Sequence, residues 1–357
     1  MKVLRRYVAR EIYLATGLVF AALISLFIIF DLIHELSDVG KSAYRVSQAV
    51  AYVLLSVPGH AYELFPIAAL IGTVVALSQL AAHSELTVIR ASGVSLYRLA
   101  LAVCLAGLTL ALITLVVGEF IAPASDRAAQ RLRLRATSTV VGQEFRSGLW
   151  VKDEGSFINV RQVHLDFSLR GVKIFQFDDG FHLRSISFAE RGEYLGDHWW
   201  SLSNVVRTEF QGTESRVVRL PQERWRSVLS PEVINVLLVD PHKMTLANLW
   251  SYIQHLRENR QNSTRFEIAL WRKVVYPGAV LVMMLLAIPF AQHQRRAGGV
   301  GARVFIAIMV GLGFHLLNRL FAHLGVLNEW PPALSGMGPT AAFLGLAFAA
   351  MWWVERR

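Results

Sequence analysis

The sequence is poor in cysteine and charge, and it lacks the short motifs that announce nucleotide or hydrolytic chemistry. Charged residues make up 17% of its 357 residues, against about a quarter in ordinary soluble domains. One cysteine excludes an internal disulfide and a cysteine-built metal cage; Cys104, set inside an apolar run, reads as a small packing residue. No G-x-x-x-x-G-K-[ST] occurs, so there is no P-loop to cradle phosphates. The glycine-rich "RRAGGVGAR" follows no strand and has no lysine, and reads as a basic turn. Neither G-x-S-x-G nor H-E-x-x-H is present, and the histidines are dispersed. Nothing argues for an enzyme, a resident cofactor or a bound metal. The formal charge of +10 comes without zinc-finger spacing or an RNA-binding signature, so it does not point to nucleic acid.

What the chain has instead is apolar length: 54% of its residues are hydrophobic. A bilayer core of about 30 Å needs roughly 20 residues of helix. Runs of that order fall near residues 12–36, 49–80, 99–121, 268–291, 303–324 and 337–354. The first is too long for a signal-peptide core and lacks a small-residue cleavage site, so it reads as a retained anchor. The second exceeds what a bilayer requires and contains Pro58 and Pro66, which predict a kink or a first part outside the hydrocarbon.

Basic residues set the expected orientation. Lys2, Arg5, Arg6 and Arg10 precede span one, Arg90 and Arg98 lie between spans two and three, and Arg295, Arg296 and Arg303 between four and five. Arg356 and Arg357 close the chain, whereas the opposite short loops carry only Lys41 and Arg45. The positive-inside rule therefore puts both termini in the cytoplasm.

Residues 122–266 form a polar insertion on the other side. Stretches such as "GVKIFQFDD" and "HLRSISFAERGEYL" alternate with period two between turn residues, which predicts antiparallel strands in a jelly-roll or sandwich. The segment "TLANLWSYIQHLRENRQ", 245–261, has helical spacing and leads back to the membrane. The expected fold is a polytopic α-helical membrane protein of about six spans, 3 + 3. Residues 1–121 and 267–357 would hold the spans, and 122–266 a β insertion, periplasmic in a Gram-negative source.

Four local patterns carry functional meaning. "SQLAAHSELTVIRASGVSLYRLA", 78–100, joins spans two and three, where a tight polar turn would suffice. Leu86, Ile89 and Val94 make an apolar side of a short helix, while Glu85, Arg90 and Ser92 face elsewhere. Gly93 is placed to end that helix and Ser95 to cap the next. A helix lying across the membrane face fits the groove of a cytoplasmic partner; an ordinary amphipathic interfacial turn has the same pattern.

After span three, "SDRAAQRLRLRA" puts Arg127, Arg131 and Arg135 at i, i+4 and i+8, with Arg133 beside them. Guanidinium groups suit phosphate, so a phosphorylated lipid headgroup is one reading of this stripe. Snorkelling or pairing with acids is the other. At the end of span one, "DLIHELSD" places Asp31, His34, Glu35 and Asp38 on one helix face. In span five, "FHLLNRLFAH" carries His315, Asn318, Arg319 and His323, which are costly facing lipid and belong in a bundle or cavity. For Arg319, snorkelling to the surface is an equal alternative.

"SELTVIRASGVSLYRL" and, a span later, "GEFIAPASDRAAQ" resemble the LptF/LptG family of lipopolysaccharide-export permeases. "LLSVP" followed by "FPIAALIGTVVALSQLA" leans toward the LptG side of that family, and the likeness extends over essentially the whole chain. The resemblance implies a permease subunit of an ABC-type exporter. Such a subunit extracts lipopolysaccharide from the inner membrane and passes it to a periplasmic jelly-roll bridge. Residues near 82–94 would be the coupling helix docking on an LptB-like ATPase dimer, with Glu85 in its groove and Arg90, Ala91, Ser92 and Gly93 beside it. ATP and magnesium would then belong to the ATPase. An LptF-like permease, an LptC-like bitopic protein and an LptA-like bridge complete the implied assembly.

The family binds lipopolysaccharide through basic residues after span three, and Arg133 falls on one of those positions. Arg127, Arg131, Arg135, Arg319 and Lys41 are the further substrate candidates. Spans one and five form the family's lateral gates, which makes Asp31, His34, Glu35, His315 and Asn318 gate candidates. One region departs from the pattern. Where lysines are carried at the end of span one, this chain has Asp31 and Asp38, and Gly59-His60 replaces a basic residue. The acidic face is expected to pair with nearby arginines, to bridge phosphate through a divalent cation, or to be solvated. Two other classes stay open: a four-span lipoprotein-releasing or FtsX-like permease, and a membrane scaffold that recruits periplasmic partners.

Overall fold

Among the described residues, six helices are long and apolar enough to cross a membrane. The computed structural model describes residues 2–37, 39–40, 44–137, 148–153, 155–164, 168–178, 180–211, 214–231, 234, 240–258, 262–292 and 300–356. Helix α1 (Lys2–Leu36) and α2 (Val46–Ala82) are followed by the short α3 (Glu85–Ala91) and by α4 (Leu96–Val116). A π-helical segment (Val117–Ile121) continues α4 into α5 (Ala122–Thr137). Beyond the strands come a 3-10 turn (Pro241–Lys243), α6 (Leu246–Glu258), α7 (Thr264–Gln292), α8 (Val300–Leu327) and α9 (Pro332–Glu355).

The chain divides into two compact units. The membrane unit comprises Met1–Val39, Val46–Gln130 and Pro241–Arg357; the β unit comprises Gly40–Arg45 and Arg131–Asp240. The division places α6 with the spans and cuts α5 between Gln130 and Arg131.

Helices α2 and α7 form the centre of the membrane unit. Ala68, Ala69, Leu70 and Val74 of α2 and Ala279, Val280, Met283 and Met284 of α7 are fully buried, whereas α1 and α8 keep most of their apolar surface outward. Water does not drive helices together inside a bilayer, so close packing of small residues must do so. At Gly72 the close contact is with backbone: a Cβ there would overlap Thr16 at its Cα and N. Helix α2 runs unbroken through Pro58 and Pro66. At 1.5 Å per residue its 37 residues reach about 55 Å, so it extends beyond a bilayer core of about 30 Å.

The π segment has a local cause. Pro123 has no N–H, and its ring clashes with the carbonyl four residues earlier, that of Glu119. The helix widens there, and the N–H of Ala122 reaches back to Val117 O.

The β unit holds β1 (Leu149–Asp153), β2 (Ser156–Val163), β3 (Leu169–Phe177), β4 (Leu183–Gly196), β5 (Trp199–Gln211) and β6 (Glu214–Arg226). They form the expected antiparallel insertion, as one sheet in sequential order. Val160, Val172, Ala189 and Val205 stand in register across four strands, all buried. Asp153 at the end of β1 accepts from Ser227 Oγ (2.6 Å) and Val228 N (3.0 Å), which follow β6. The segment that follows β6 therefore reaches back to the end of β1. Trp200 lies fully buried in the core of the unit and donates its indole N–H to Leu229 O at 2.6 Å.

Candidate coupling and substrate sites

Helix α3 is fastened on one side and open on the other. Leu86 is buried in a cluster with Val8, Leu80, Leu99 and Val103, and Ile89 and Val94 are half-buried, which is the apolar side read from the spacing. Thr87, Val88, Ala91, Ser92 and Gly93 are exposed, with Val88 at 66% and nearby Tyr97 at 79%. Gly93 takes φ +85° just after the helix, a conformation that costs a residue without a Cβ least. Ser95 caps α4, its Oγ accepting from Arg98 N. Glu85 opens α3, where a carboxylate complements the helix dipole, and accepts a 2.7 Å hydrogen bond from Tyr7 Oη. Arg90 lies in α3, but its side chain is outside the described residues.

The acidic end of α1 differs from expectation. Among the described residues the partner of Asp31 is a histidine: its Oδ2 lies 2.6 Å from His60 Nε2 of α2, and both side chains are partly exposed. The two departures from the family pattern are thus partners of each other. Phe27 packs on the His60 ring at 5.3 Å between centroids. Nor do the four residues share one environment, because Glu35 is buried and His34 exposed. Asp38 and Lys41 lie outside the described residues.

The α5 arginines divide in the same way. Arg127 turns back and donates Nε to Pro123 O at 3.0 Å, Arg131 is exposed and Arg133 half-buried. The Arg135 side chain is outside the described residues. On α8, Asn318 is buried in the bundle and gives its amide to Phe314 O of its own helix at 2.9 Å. His315 is half-buried, with Arg319, Glu63 and Arg272 as its charged neighbours, and Arg319 itself is exposed.

A second group of polar contacts escaped the sequence reading. Glu119, on the π segment, accepts from Leu246 N, the first residue of α6, at 2.8 Å and 3.1 Å. It also lies 3.4 Å from Lys273 Nζ of α7. Lys273 is buried and donates to Met244 O. Next to Glu119, Gly118 admits the Tyr62 ring, which a Cβ would overlap. The available signal was Pro123, four residues after Glu119 in "GEFIAP". Among the described residues no cluster of three or more His, Cys, Asp or Glu is arranged to hold a metal ion.

Comparison with known proteins agrees with this architecture. Residues 6–353 match the family described as "Lipopolysaccharide export system permease LptF/LptG". The chain is 31% identical over 360 residues to lipopolysaccharide export system permease protein LptG of Escherichia coli K12, covering 99% of this chain and 98% of that one. It is 30% identical over 355 residues to LptG of Haemophilus influenzae, with the same coverage. The six apolar helices also exceed the four spans of a lipoprotein-releasing or FtsX-like permease. On this match over nearly its whole length, the chain belongs to the LptF/LptG family of lipopolysaccharide export permeases.

Proposed function

We propose that the chain is an LptG-like transmembrane subunit that moves lipopolysaccharide out of the Gram-negative inner membrane, driven by a separate ATPase. The observation that carries this reading is α3. It is anchored by Leu86, leaves Val88 and Ala91–Gly93 open, presents Glu85 at its start, and sits on a chain without a P-loop. Such a chain must take its energy from a partner, and an LptB-like ATPase dimer would hold the ATP and magnesium. Both termini and α3 then face the cytoplasm, as the basic loops argue, and the β unit faces the periplasm.

An LptF-like permease would supply the other half of the lipid cavity. The acyl chains suit its apolar walls, and Arg131, Arg133 and Arg319 suit the phosphates. ATP-driven closure would squeeze the lipid toward the β unit, which would join the β domains of LptC-like and LptA-like partners edge to edge. Co-purification with photo-crosslinkers at positions 85, 131 and 319 tests the reading. The ATPase is expected at the first position and lipopolysaccharide at the other two. Crosslinks to neither would overturn it.

A further inference from the structure

We propose that Glu119 and Lys273 are positioning residues of the transport cycle. Their ion pair locks together the membrane ends of the connections that leave for, and return from, the β unit. This rests on the export function proposed above.

The chain leaves α4 through the π segment and α5, and it re-enters the membrane unit at Pro241–Lys243 and α6. These ends are about 120 residues apart in sequence, and no backbone pairing within either element joins them. The Glu119 carboxylate does. It accepts the Leu246 N–H, one of the first-turn donors of α6 that has no partner inside its own helix. It also faces the Lys273 ammonium at 3.4 Å, and that ammonium donates to Met244 O, two residues before α6. One ion pair therefore fixes the π segment, the start of α6 and α7 to one another.

Three features distinguish the pair from a surface salt bridge. Lys273 is buried, so its charge has no water to turn to if Glu119 is lost. Leu246 N and Met244 O are backbone groups, so the pair holds chain direction as well as side chains. Glu119 also sits on the π segment, the irregular part of the third span; such segments recur at functional sites. A pushing motion of the spans has to reach both connections together if the insertion is to move as a body. The node is where the two connections become one body with α7.

The test uses the whole complex, with its ATPase and second permease, in vesicles containing lipopolysaccharide. E119Q keeps an oxygen for Leu246 N–H and removes the charge, while K273M keeps most of the stem and removes the ammonium. The double variant E119Q/K273M removes both charges of the pair together, so it separates a positioning role from the cost of leaving Lys273 buried without its partner. The double variant is expected to assemble, and its ATP hydrolysis to stay within about twofold of the parent. Its ATP-dependent lipopolysaccharide release should fall roughly tenfold or more, the scale on which misplacement distant from the reacting centre acts.

Unchanged lipid release per ATP in that variant would overturn the positioning role. So would hydrolysis and release falling together with loss of the assembled complex, which marks a purely structural contact. If the parent complex itself releases no lipopolysaccharide with ATP, the export reading has failed and this inference falls with it.

Discussion

Tyr7 and Glu85, 78 positions apart, share a 2.7 Å hydrogen bond that ties the start of α1 to the start of α3. The phenol donates to one of the two carboxylate oxygens, Oε2. Replacing Glu85 by Ala is expected to weaken association with the ATPase by about 2–5 kcal/mol, as when one member of a desolvated interfacial charge pair is removed. That corresponds to a rise in Kd of roughly 30-fold to several-thousand-fold. Tyr7→Phe keeps the ring and removes only an exposed hydrogen bond, so its effect should not exceed about threefold. Binding of purified ATPase to the permease pair in nanodiscs measures both. An E85A complex as tight as the parent would remove Glu85 from the interface.

The Asp31–His60 contact predicts what the acidic end of α1 does. Both side chains are partly exposed, so a double-mutant cycle of D31A and H60A should give a coupling of about 1 kcal/mol or less. Because the carboxylate is already engaged with the imidazole, D31A should leave the magnesium dependence of lipopolysaccharide binding unchanged. A loss of that dependence in D31A, read by lipid co-purification with and without magnesium, would instead assign Asp31 to a bridging cation.

Hydropathy located the spans because a bilayer imposes a length on each segment separately. The helix that begins at Glu85 was legible for a similar reason: Leu86, Ile89, Gly93 and Ser95 carry local rules for burial, termination and capping. The polar pairings obey no local rule. Glu119 meets Leu246 across 127 positions, and Tyr276 Oη donates to Glu63 O across 213. A charge inside a span announces that a partner is needed, not which one. The same limit explains Asp31, whose partner among the described residues is a histidine on the next helix.

In the β unit, the turn after β3 should respond to acid. Asp178 Oδ1 accepts from His182 N (2.8 Å) and Gly180 N (2.9 Å). The His182 N–H above all, then that of Gly180 and the imidazole nearby, hold its carboxyl below the ordinary carboxylate range. A depressed folded-state value means that the ionised form stabilises the turn. That contribution is complete above the unfolded value and is lost as pH falls through the lower folded one. Hydrogen exchange across 178–182 should therefore lose protection on acidification relative to neighbouring hairpins, and D178N should abolish the difference. An equal pH response in D178N and the parent would rule out this carboxylate as the cause.

Gly17 and Gly72 lie in helices α1 and α2 and look alike in the sequence, yet the structure separates them sharply. A Cβ on Gly17 meets nothing within 4 Å, whereas one on Gly72 would overlap Thr16 at its Cα, N and Oγ1. Gly17→Ala should be neutral or slightly stabilising, since alanine is the better helix former by about 1 kcal/mol. Gly72→Ala should cost at least about 1–3 kcal/mol, the range for an overpacked core, because backbone atoms of α1 cannot swing aside. Adding Thr16→Ala clears the hydroxyl but leaves the clash with Cα and N, so it should not rescue G72A. Thermal unfolding of the detergent-solubilised complex ranks the three variants. Full recovery in T16A/G72A would mean that the two helices meet through side chains and can part at little cost.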